Sequence, residues 1–222
     1  MARILITGAS NGIGRVLAAR LRGHELVLAG RDAARLAEVS RDIPSARIIT
    51  PDFADPASIA EHVGDLDELD ALVHVAGISD RAFVPDATPE HWSRQLTINL
   101  LSPVELTRLL LPALTAARGT VVFVNSVVAL AGGGAGGASY VASKVALRSF
   151  ADQLRIEQPA LRVGTVYPGR TATEMQRELR AFEGLPYEEE NYASPESVAA
   201  AIETVLFAPA DVSLRDVTVM PR

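Results

Sequence analysis

Thr7-Gly8-Ala9-Ser10-Asn11-Gly12-Ile13-Gly14 joins a short apolar run, Ile4–Ile6, to an amphipathic stretch that begins at Gly12. An apolar run typical of a buried strand, followed by glycines and a helix, is the setting of a dinucleotide-binding loop. In such a loop Gly8 permits a tight turn, Gly12 lets the backbone approach a pyrophosphate, and Gly14 lets helix and strand pack closely. The helix N-terminus offers N–H donors and a positive dipole to the phosphates. The stretch therefore predicts a dinucleotide-binding fold.

Apolar runs alternate with amphipathic stretches along the whole chain. Seven runs are strand candidates: Ile4–Ile6, Leu26–Ala29, Arg47–Thr50, Ala71–Val75, Val121–Val124, Val163–Val166 and Val217–Met220. Six stretches are helix candidates: Gly12–Leu21, Ala33–Arg41, Pro56–Val63, Glu90–Ala117, Ser139–Gln158 and Pro195–Phe207. Apolar strands that alternate with helices indicate a mainly parallel sheet with helices on both faces. We predict an α/β, doubly wound Rossmann fold with a seven-stranded sheet, in a single domain that spans residues 1–222.

The composition narrows the class of protein. The chain has 222 residues, 48% of them hydrophobic and 22% charged, which is enough to bury one substantial core. No apolar run reaches the roughly 18 residues of a membrane span, and the first predicted strand follows Met1-Ala2-Arg3 directly, which leaves no room for a signal peptide. Without cysteine there is no disulfide, thiolate nucleophile or cysteine zinc site. We expect a cytoplasmic protein that does not enter a membrane.

The charged residues and histidines argue against two kinds of partner. The 21 basic residues are interspersed among 27 acidic ones, and the net charge is -6, unlike a surface that follows phosphates. The four histidines, His24, His62, His74 and His91, lack the spacing of metal ligands on one helix face. We therefore expect neither a nucleic-acid partner nor a bound metal.

The only lysine marks a second candidate site. Lys144 follows Tyr140 by four positions, whereas all other basic residues are arginine. In a helix over Ser139–Gln158 the two side chains share one face. At a separation of about 5 Å and an effective dielectric near 20, the lysine would stabilise a phenolate by roughly 3 kcal/mol and so lower its pKa. The pair is a candidate acid/base unit, although the same spacing occurs on ordinary helix surfaces.

The end of the second predicted strand bears on the choice between NADP(H) and NAD(H). In NAD-binding proteins an acidic residue at this point holds the ribose 2′-hydroxyl. Here Gly30 leaves space and Arg31 supplies a charged fork that suits a 2′-phosphate. Asp32 fits better as the N-cap of the following helix. NADP(H) is the predicted cofactor, and NAD(H) remains the alternative.

With these motifs in order, the chain resembles the short-chain dehydrogenase/reductase family over essentially its whole length. Thr7–Gly14 resembles the family's TGxxxGxG, and Pro168–Thr173 is similar to its PGxxxT. Ala76-Gly77 ends a segment like the family's NNAG, but His74-Val75 replaces the two asparagines. The resemblance implies a catalytic set of Asn99, Ser126, Tyr140 and Lys144. Together with Arg31, it implies cofactor contacts from Gly8, Ser10, Asn11, Gly12, Ile13, Gly14, Asp52, Phe53, Ala76, Gly77, Tyr140, Lys144, Pro168, Gly169, Thr171 and Thr173.

The resemblance also implies a role for each catalytic residue. Ser126 would hold a substrate carbonyl oxygen, and Tyr140 would exchange a proton with it as hydride moves to or from the nicotinamide. Lys144 would lower the pKa of the phenol and hold the nicotinamide ribose, and Asn99 would position a water that links Lys144 to solvent. The predicted function is NADP(H)-dependent reduction of a carbonyl, or oxidation of the alcohol. An NAD-linked alcohol dehydrogenase and a non-catalytic NADP(H)-binding sensor or scaffold are the alternatives.

Substrate and assembly depend on regions with weaker signals. The loops Ser79–Phe83, Ala129–Gly137 and Thr171–Ser194 would surround the substrate, and the last, about residues 171–194, is the predicted lid. Its apolar residues among glutamates favour a small neutral carbonyl or alcohol substrate. Glu90–Ala117 and Ser139–Gln158 resemble the helices through which family members pair, which implies a homodimer or homotetramer.

Overall fold

The apolar runs form one seven-stranded sheet in the computed structural model, which describes residues 1–222. Its strands are β1 (Arg3–Thr7), β2 (Glu25–Ala29), β3 (Arg47–Ile49), β4 (Ala71–His74), β5 (Thr120–Val124), β6 (Arg162–Pro168) and β7 (Asp216–Val219). Their order in the sheet is β3-β2-β1-β4-β5-β6-β7, and every neighbouring pair is parallel. The predicted doubly wound Rossmann fold is confirmed.

Nine α-helices accompany the sheet. They are α1 (Gly12–Arg20), α2 (Ala33–Ser40), α3 (Ile59–Val63), α4 (Pro89–Leu96), α5 (Ser102–Ala116), α6 (Val128–Ala131), α7 (Ala138–Glu157), α8 (Glu174–Glu183) and α9 (Pro195–Leu206). Short 3-10 turns occur at Pro56–Ser58 and Glu189–Asn191. None of the helices is both long and apolar enough to cross a membrane.

Alternate residues of each strand point to opposite faces of the sheet, and each face has its own apolar core. Leu5 of β1 belongs to the core that includes Leu106 of α5 and Leu147 of α7. Its neighbours Ile4 and Ile6 belong to the other core, with side chains of α1, α2 and α9. All of these strand side chains are fully buried. This two-sided burial explains why the strands read as continuous apolar runs rather than alternating ones.

The strand order reverses between β1 and β4, and this reversal positions the candidate site. In doubly wound sheets ligands bind in the crevice outside the carboxyl ends of such a strand pair. The hydroxyl of Thr7, at the end of β1, accepts hydrogen bonds of 3.0 Å from the backbone N–H groups of Val75 and Ala76. One side chain therefore fixes the distance between the two loops that border the crevice.

The predicted helix Glu90–Ala117 is interrupted. A π-helical turn, Thr97–Leu101, separates α4 from α5. An ordinary α-helix would need the N–H of residue 103 as donor to the carbonyl of Asn99, and Pro103 has none. Single π-helical turns of this kind are frequent at functional sites, and this one contains a predicted catalytic residue, Asn99.

Two helices fall in regions read as loops from the sequence. The first, α6, is a single turn after β5. The second, α8, occupies the first half of the predicted lid and ends at Gly184, whose φ of +66° suits the left-handed conformation of a helix C-terminus. The predicted lid is thus a helix followed by an irregular return to α9.

Candidate active site

Two adjoining cavities lie at the carboxyl ends of the central strands. The glycine-loop cavity, about 410 Å³, is lined by residues after β1, β2, β3 and β4 and by the start of α8. The tyrosine cavity, about 330 Å³, is lined by residues after β4, β5 and β6 and by one face of α7 and α8. The two share Ile13, Val75, Gly77, Ser79, Thr173 and Met175. A ligand that occupies both cavities would therefore be continuous across these residues.

The glycine loop has the geometry of a phosphate cradle. Gly8 and Gly12 have φ values of +66° and +48°, which side chains other than glycine rarely adopt. A Cβ on Gly14 would overlap the carbonyl oxygen of Gly8, so α1 packs on β1 more closely than any other residue allows. The side chain of Asn11 makes no hydrogen bond to the first turn of α1, which leaves these N–H groups available. The loop fits a dinucleotide pyrophosphate.

The end of the glycine-loop cavity beside β2 carries one unpaired positive charge. Gly30 and Arg31 line it, and Arg31 is exposed and forms no ion pair. The carboxylate of Asp32 accepts a hydrogen bond of 3.0 Å from the backbone N–H of Arg35 and caps α2, as predicted. At the end of β2 the cavity therefore presents the free guanidinium of Arg31, whereas the adjacent carboxylate, that of Asp32, is engaged as the N-cap of α2. These residues fit a ribose 2′-phosphate.

The residues after β3 differ in their position relative to the glycine-loop cavity. Phe53 and Ala54 line the glycine-loop cavity, whereas Asp52, a predicted cofactor contact, does not. Its side chain is directed to the chain itself, because its Oδ1 accepts a hydrogen bond of 2.9 Å from the N–H of Ala54. A contact with adenine would thus come from the apolar neighbours or from a rearranged Asp52.

Three predicted catalytic residues meet in the tyrosine cavity. Tyr140 and Lys144 lie one turn apart on α7, and Ser126 follows β5. Lys144 Nζ is 5.9 Å from the centre of the Tyr140 ring and donates a hydrogen bond of 3.1 Å to the carbonyl of Val124. Tyr140 is 8% exposed and Lys144 5%. The helix and the strand end thus hold the phenol, the amine and the hydroxyl around one space.

Asn99 lies behind this group and lines neither cavity. Its Oδ1 accepts from the N–H of Ile78 at 2.8 Å, and its Nδ2 donates to the carbonyl of Ile78 at 2.9 Å and to the hydroxyl of Ser143 at 3.0 Å. A Cβ on Gly77 would stand 3.2 Å from Asn99 Oδ1 and 3.6 Å from Lys144 Nζ. Asn99 is therefore close to Lys144, while its amide supports the loop after β4 rather than its own helix.

The electrostatics of the pair differ from the sequence expectation. Burial raises the pKa of Tyr140, an effect that the neighbouring Ser126 hydroxyl and the positive charge of Arg81 only partly oppose. Burial also lowers the pKa of Lys144 to about 8. The net lowering of the phenol pKa that the sequence predicts is not found, because burial outweighs the effects that oppose it. Tyr140 is consequently a protonated phenol at neutral pH.

Arg81 is a residue of this site that the sequence did not single out. Its guanidinium lies 5.5 Å from the centre of the Tyr140 ring, and its Nε donates a hydrogen bond of 3.2 Å to the hydroxyl of Ser79. It lines the tyrosine cavity and is only partly exposed. The only signal in the sequence is its place in the loop Ser79–Phe83, which is predicted to face substrate.

His74 replaces an asparagine of the family pattern without leaving polar groups unsatisfied. Its Nε2 is 2.9 Å from the hydroxyl of Thr107, and its ring stacks on Phe123 with the centroids 4.9 Å apart. Burial, with a smaller contribution from the positive charge of Lys144, lowers the pKa of His74 to about 3. The residue is a neutral part of the core under the site.

The segment after β6 forms one wall of the tyrosine cavity. Pro168, Gly169, Thr171 and Thr173 all line it, as the PGxxxT resemblance implies. From α8 the cavity receives Met175, Gln176, Leu179 and Glu183. Other apolar side chains of the predicted lid point elsewhere: Phe182 packs against Phe83, Tyr187 packs against Tyr192, and Leu185 is exposed. Of the large apolar residues of the lid segment, Met175 and Leu179 line the cavity.

Fold and cavities together define a Rossmann protein with a dinucleotide site beside a tyrosine and lysine pair. The sequence profile of the short chain dehydrogenase family matches residues 2–184. The chain belongs to this family, whose members are NAD(P)-dependent oxidoreductases.

Two curated relatives illustrate the similarity. Dehydrogenase/reductase SDR family member 7B of Bos taurus is 34% identical over 206 residues, which cover 83% of this chain and 62% of the bovine protein. The uncharacterized short-chain type dehydrogenase/reductase y4eK of Sinorhizobium fredii (strain NBRC 101917 / NGR234) is 31% identical, with 98% of this chain and 90% of that protein covered. This chain thus spans less than two thirds of the bovine relative and most of the bacterial one.

Two solved structures share the architecture. The closed form of serine dehydrogenase in complex with NADP+ is 27% identical, with a TM-score of 0.88 and coverage of 99% of this chain and 94% of that one. An alcohol dehydrogenase from the archaeon Thermococcus sibiricus, in complex with 5-hydroxy-NADP, is 24% identical with a TM-score of 0.89 and coverage of 100% and 97%. The second likeness concerns the fold alone.

Proposed function

We propose that the protein is an NADP(H)-dependent oxidoreductase that reduces the carbonyl group of a small substrate, or oxidises the corresponding alcohol, with Tyr140 as general acid/base. The observation that carries this proposal is the junction of the two cavities. Tyr140, Ser126 and Lys144 surround the tyrosine cavity where it adjoins the glycine loop. A protein that only binds NADP(H) does not need a buried phenol, amine and hydroxyl around one space.

Each polar residue of the tyrosine cavity has a separate role in the proposed carbonyl reduction. When bound, NADPH supplies the hydride that the carbonyl carbon receives. The hydroxyl of Ser126 donates a hydrogen bond to the carbonyl oxygen, and the phenol of Tyr140 transfers its proton to the same oxygen. The raised pKa of Tyr140 keeps this proton in place until the oxygen becomes basic. Lys144 and Arg81 then stabilise the phenolate that remains.

The residues around the glycine-loop cavity support NADP(H) rather than NAD(H). The N–H groups at the start of α1 would hold the pyrophosphate, and the exposed Arg31 beside Gly30 would bind a 2′-phosphate. The serine dehydrogenase of similar fold was solved with NADP+, which agrees with this assignment. Lys144 would contact the nicotinamide ribose, and Thr171 and Thr173 would contact the carboxamide, as the family resemblance implies.

We also infer a homodimer or homotetramer through the helices α5 and α7. Large apolar side chains are exposed on this part of the molecule: Leu101 is 50% exposed, Val145 46% and Ile156 72%. Covering such side chains in a second copy of the chain would remove apolar surface from water. Light scattering that finds only a 23.6 kDa species would exclude the assembly.

The central experiment measures NADPH and NADH oxidation at 340 nm with a panel of aldehydes, ketones, diketones, quinones and oxo acids. Tyr140→Phe should lower kcat by about 10²–10⁴-fold and leave the NADPH dissociation constant, measured by fluorescence, within about threefold. Tyr167→Phe is the matched control, because it removes a buried tyrosine hydroxyl that bonds to Asp216, outside both cavities. Turnover retained in Tyr140→Phe would refute the proton-transfer role. Tight NADPH binding by wild type without turnover of any compound would favour the sensor.

A further inference from the structure

One arginine of the tyrosine cavity forms no ion pair. Two arginines line it, and Arg170 is fully paired, since its guanidinium makes two hydrogen bonds of 3.2 and 2.8 Å to Glu183. Arg81 makes no ion pair with any acidic side chain. Its side chain donates one hydrogen bond, to the neutral hydroxyl of Ser79. Its guanidinium is partly withdrawn from water, which lowers its pKa from the ordinary value while leaving it a cation. A charge held in this way favours an anionic ligand.

The balance of charge in the cavity points the same way. Its charged lining consists of three cations, Arg81, Lys144 and Arg170, and one carboxylate, Glu183. Glu183 is bound by a second arginine as well, because Arg180 Nη1 donates to it at 2.7 Å. The carboxylate is therefore neutralised by its own partners and would not repel an anion. The cavity as a whole carries excess positive charge in a protein whose net charge is -6.

A second polar group in the cavity also lacks a partner. Gln176 of α8 is 5% exposed and lines the cavity, and its Nε2 is buried without any hydrogen-bond acceptor. Leaving a buried donor unsatisfied costs about 1–3 kcal/mol. A ligand oxygen that accepts this hydrogen bond would remove that cost. Arg81 comes from the loop after β4 and Gln176 from the helix α8, so an anion in the cavity would meet donors from two separate elements.

We propose that the substrate is a short oxo acid, or the hydroxy acid of the reverse reaction, whose carboxylate binds Arg81 and the amide of Gln176 while its carbonyl faces Tyr140 and Ser126. This inference rests on the proposed oxidoreductase function and specifies its substrate class. It differs from the neutral substrate expected from the lid segment, because Arg81 lies outside that segment. The distance of 5.5 Å between the Arg81 guanidinium and the Tyr140 ring favours α- and β-oxo acids, in which carbonyl and carboxylate are close together.

NADPH is the reductant of this reaction, and solvent is the final source of the proton. Hydride from NADPH adds to the carbonyl carbon, and the electron pair of the C=O π bond moves to the oxygen. That oxygen takes the proton of the Tyr140 phenol, which is later replaced from solvent. The products are the hydroxy acid and NADP+, and the carboxylate that binds Arg81 is unchanged.

The test compares short α- and β-oxo acids with their methyl esters, which keep the carbonyl and lose the charge. For wild type we expect kcat/KM to be at least about tenfold higher for acid than for ester. Arg81→Met should lower this acid-to-ester ratio at least about tenfold, mainly through the KM of the acid, with Arg81→Lys in between. Gln176→Leu should lower it by a smaller factor. Arg41→Met, which changes an exposed arginine remote from the cavity, is the control and should leave the ratio unchanged.

Two results would overturn the proposal. One is a wild-type enzyme that reduces ester as well as acid, and the other is an unchanged ratio in Arg81→Met, which would mean that Arg81 acts only on Tyr140. A binding measurement separates these results from failure of the proposed function. Oxamate, an unreactive analogue of an α-oxo acid, should bind to the NADPH complex in calorimetry, and Arg81→Met should weaken it at least about tenfold. If no compound is turned over, the function fails, and absence of oxamate binding would overturn the anion site as well.

Discussion

The side-chain amide of Asn99 pairs with both backbone groups of Ile78. The Oδ1 accepts from the N–H at 2.8 Å and the Nδ2 donates to the carbonyl at 2.9 Å. Asn99 belongs to the π-helical turn Thr97–Leu101, and Ile78 belongs to the loop after β4 that borders both cavities. The contact therefore fixes the loop that carries Gly77 and Arg81 to the helix layer.

Asn99→Leu should destabilise the protein by about 1–3 kcal/mol, because the N–H of Ile78 loses its partner and the carbonyl of Ile78 keeps only the bond from Gln95. It should also lower kcat, because Asn99 and the proposed catalytic residue Lys144 both lie beside Gly77 and a change at one disturbs the other. Gln95→Leu is the control, because Gln95 Nε2 also bonds to the carbonyl of Ile78, at 2.7 Å. The control should lose stability with a smaller effect on kcat. Urea unfolding and steady-state kinetics measure both quantities, and wild-type stability in Asn99→Leu would contradict the structural role.

Gly14→Ala should abolish NADPH binding and destabilise the fold, because the added Cβ would overlap the carbonyl oxygen of Gly8. Gly23→Ala is the matched control, since a Cβ there meets nothing within 4 Å. We expect the control to change stability by no more than about 1 kcal/mol. Thermal unfolding with and without NADPH measures both effects. A Gly14→Ala variant that NADPH still stabilises would show that the loop does not hold the cofactor.

Arg31→Ala should lower the preference for NADPH over NADH at least about tenfold, through loss of the charged contact to the 2′-phosphate. Arg35→Ala removes a nearby arginine that is paired with Asp32 at 3.3 Å, and it should leave the preference nearly unchanged. The ratio of kcat/KM for the two cofactors is the measurement. An unchanged ratio in Arg31→Ala would end the assignment of Arg31 to cofactor selection.

Lys144→Met should inactivate the enzyme and stabilise its fold at neutral pH. Burial lowers the pKa of Lys144 from 10.5 to about 8, so holding its proton in the folded state costs about 3 kcal/mol below pH 8. The unfolded chain binds more protons between pH 8 and 10.5, so this cost disappears as the pH rises through that window. The variant should gain about 1–3 kcal/mol at pH 7 and little near pH 10.

Urea unfolding at several pH values measures this difference. Arg148→Met, one turn further along α7 on its exposed side, is the control and should show no such pH dependence. A Lys144→Met variant that is less stable than wild type at pH 7 would mean that the bond to the carbonyl of Val124 outweighs the cost of burial.

The features that the sequence predicted depend on neighbours in the chain. Strand runs, the glycine loop and the cap at Asp32 each follow from a few consecutive residues. Tyr140 and Lys144 were recognisable because helix geometry alone brings residues four apart onto one face. The same locality explains why the seven strands were found with boundaries close to those observed.

The features that the sequence missed depend on contacts between distant segments. Pro103 is a local signal for the π-helical turn, but the bonds of Asn99 to the loop after β4 are long-range contacts that no local pattern reports. The pKa of Tyr140 depends on burial by the whole site, so the charge of Lys144 alone predicts the wrong direction for its shift. Arg81 resembled any other loop arginine until the fold placed it beside Tyr140.

Lys144 is the only lysine of the chain, and it lies within the active-site helix α7. A protease that cuts only after lysine has one peptide bond to attack, between Lys144 and Val145, in the middle of the twenty-residue helix α7. In the folded chain that bond is held in helix and Lys144 is 5% exposed. Cleavage requires α7 to open, and it yields two fragments of defined size, residues 1–144 and 145–222. The rate of this one cut therefore reports the opening of the active-site helix directly on a gel, without any label.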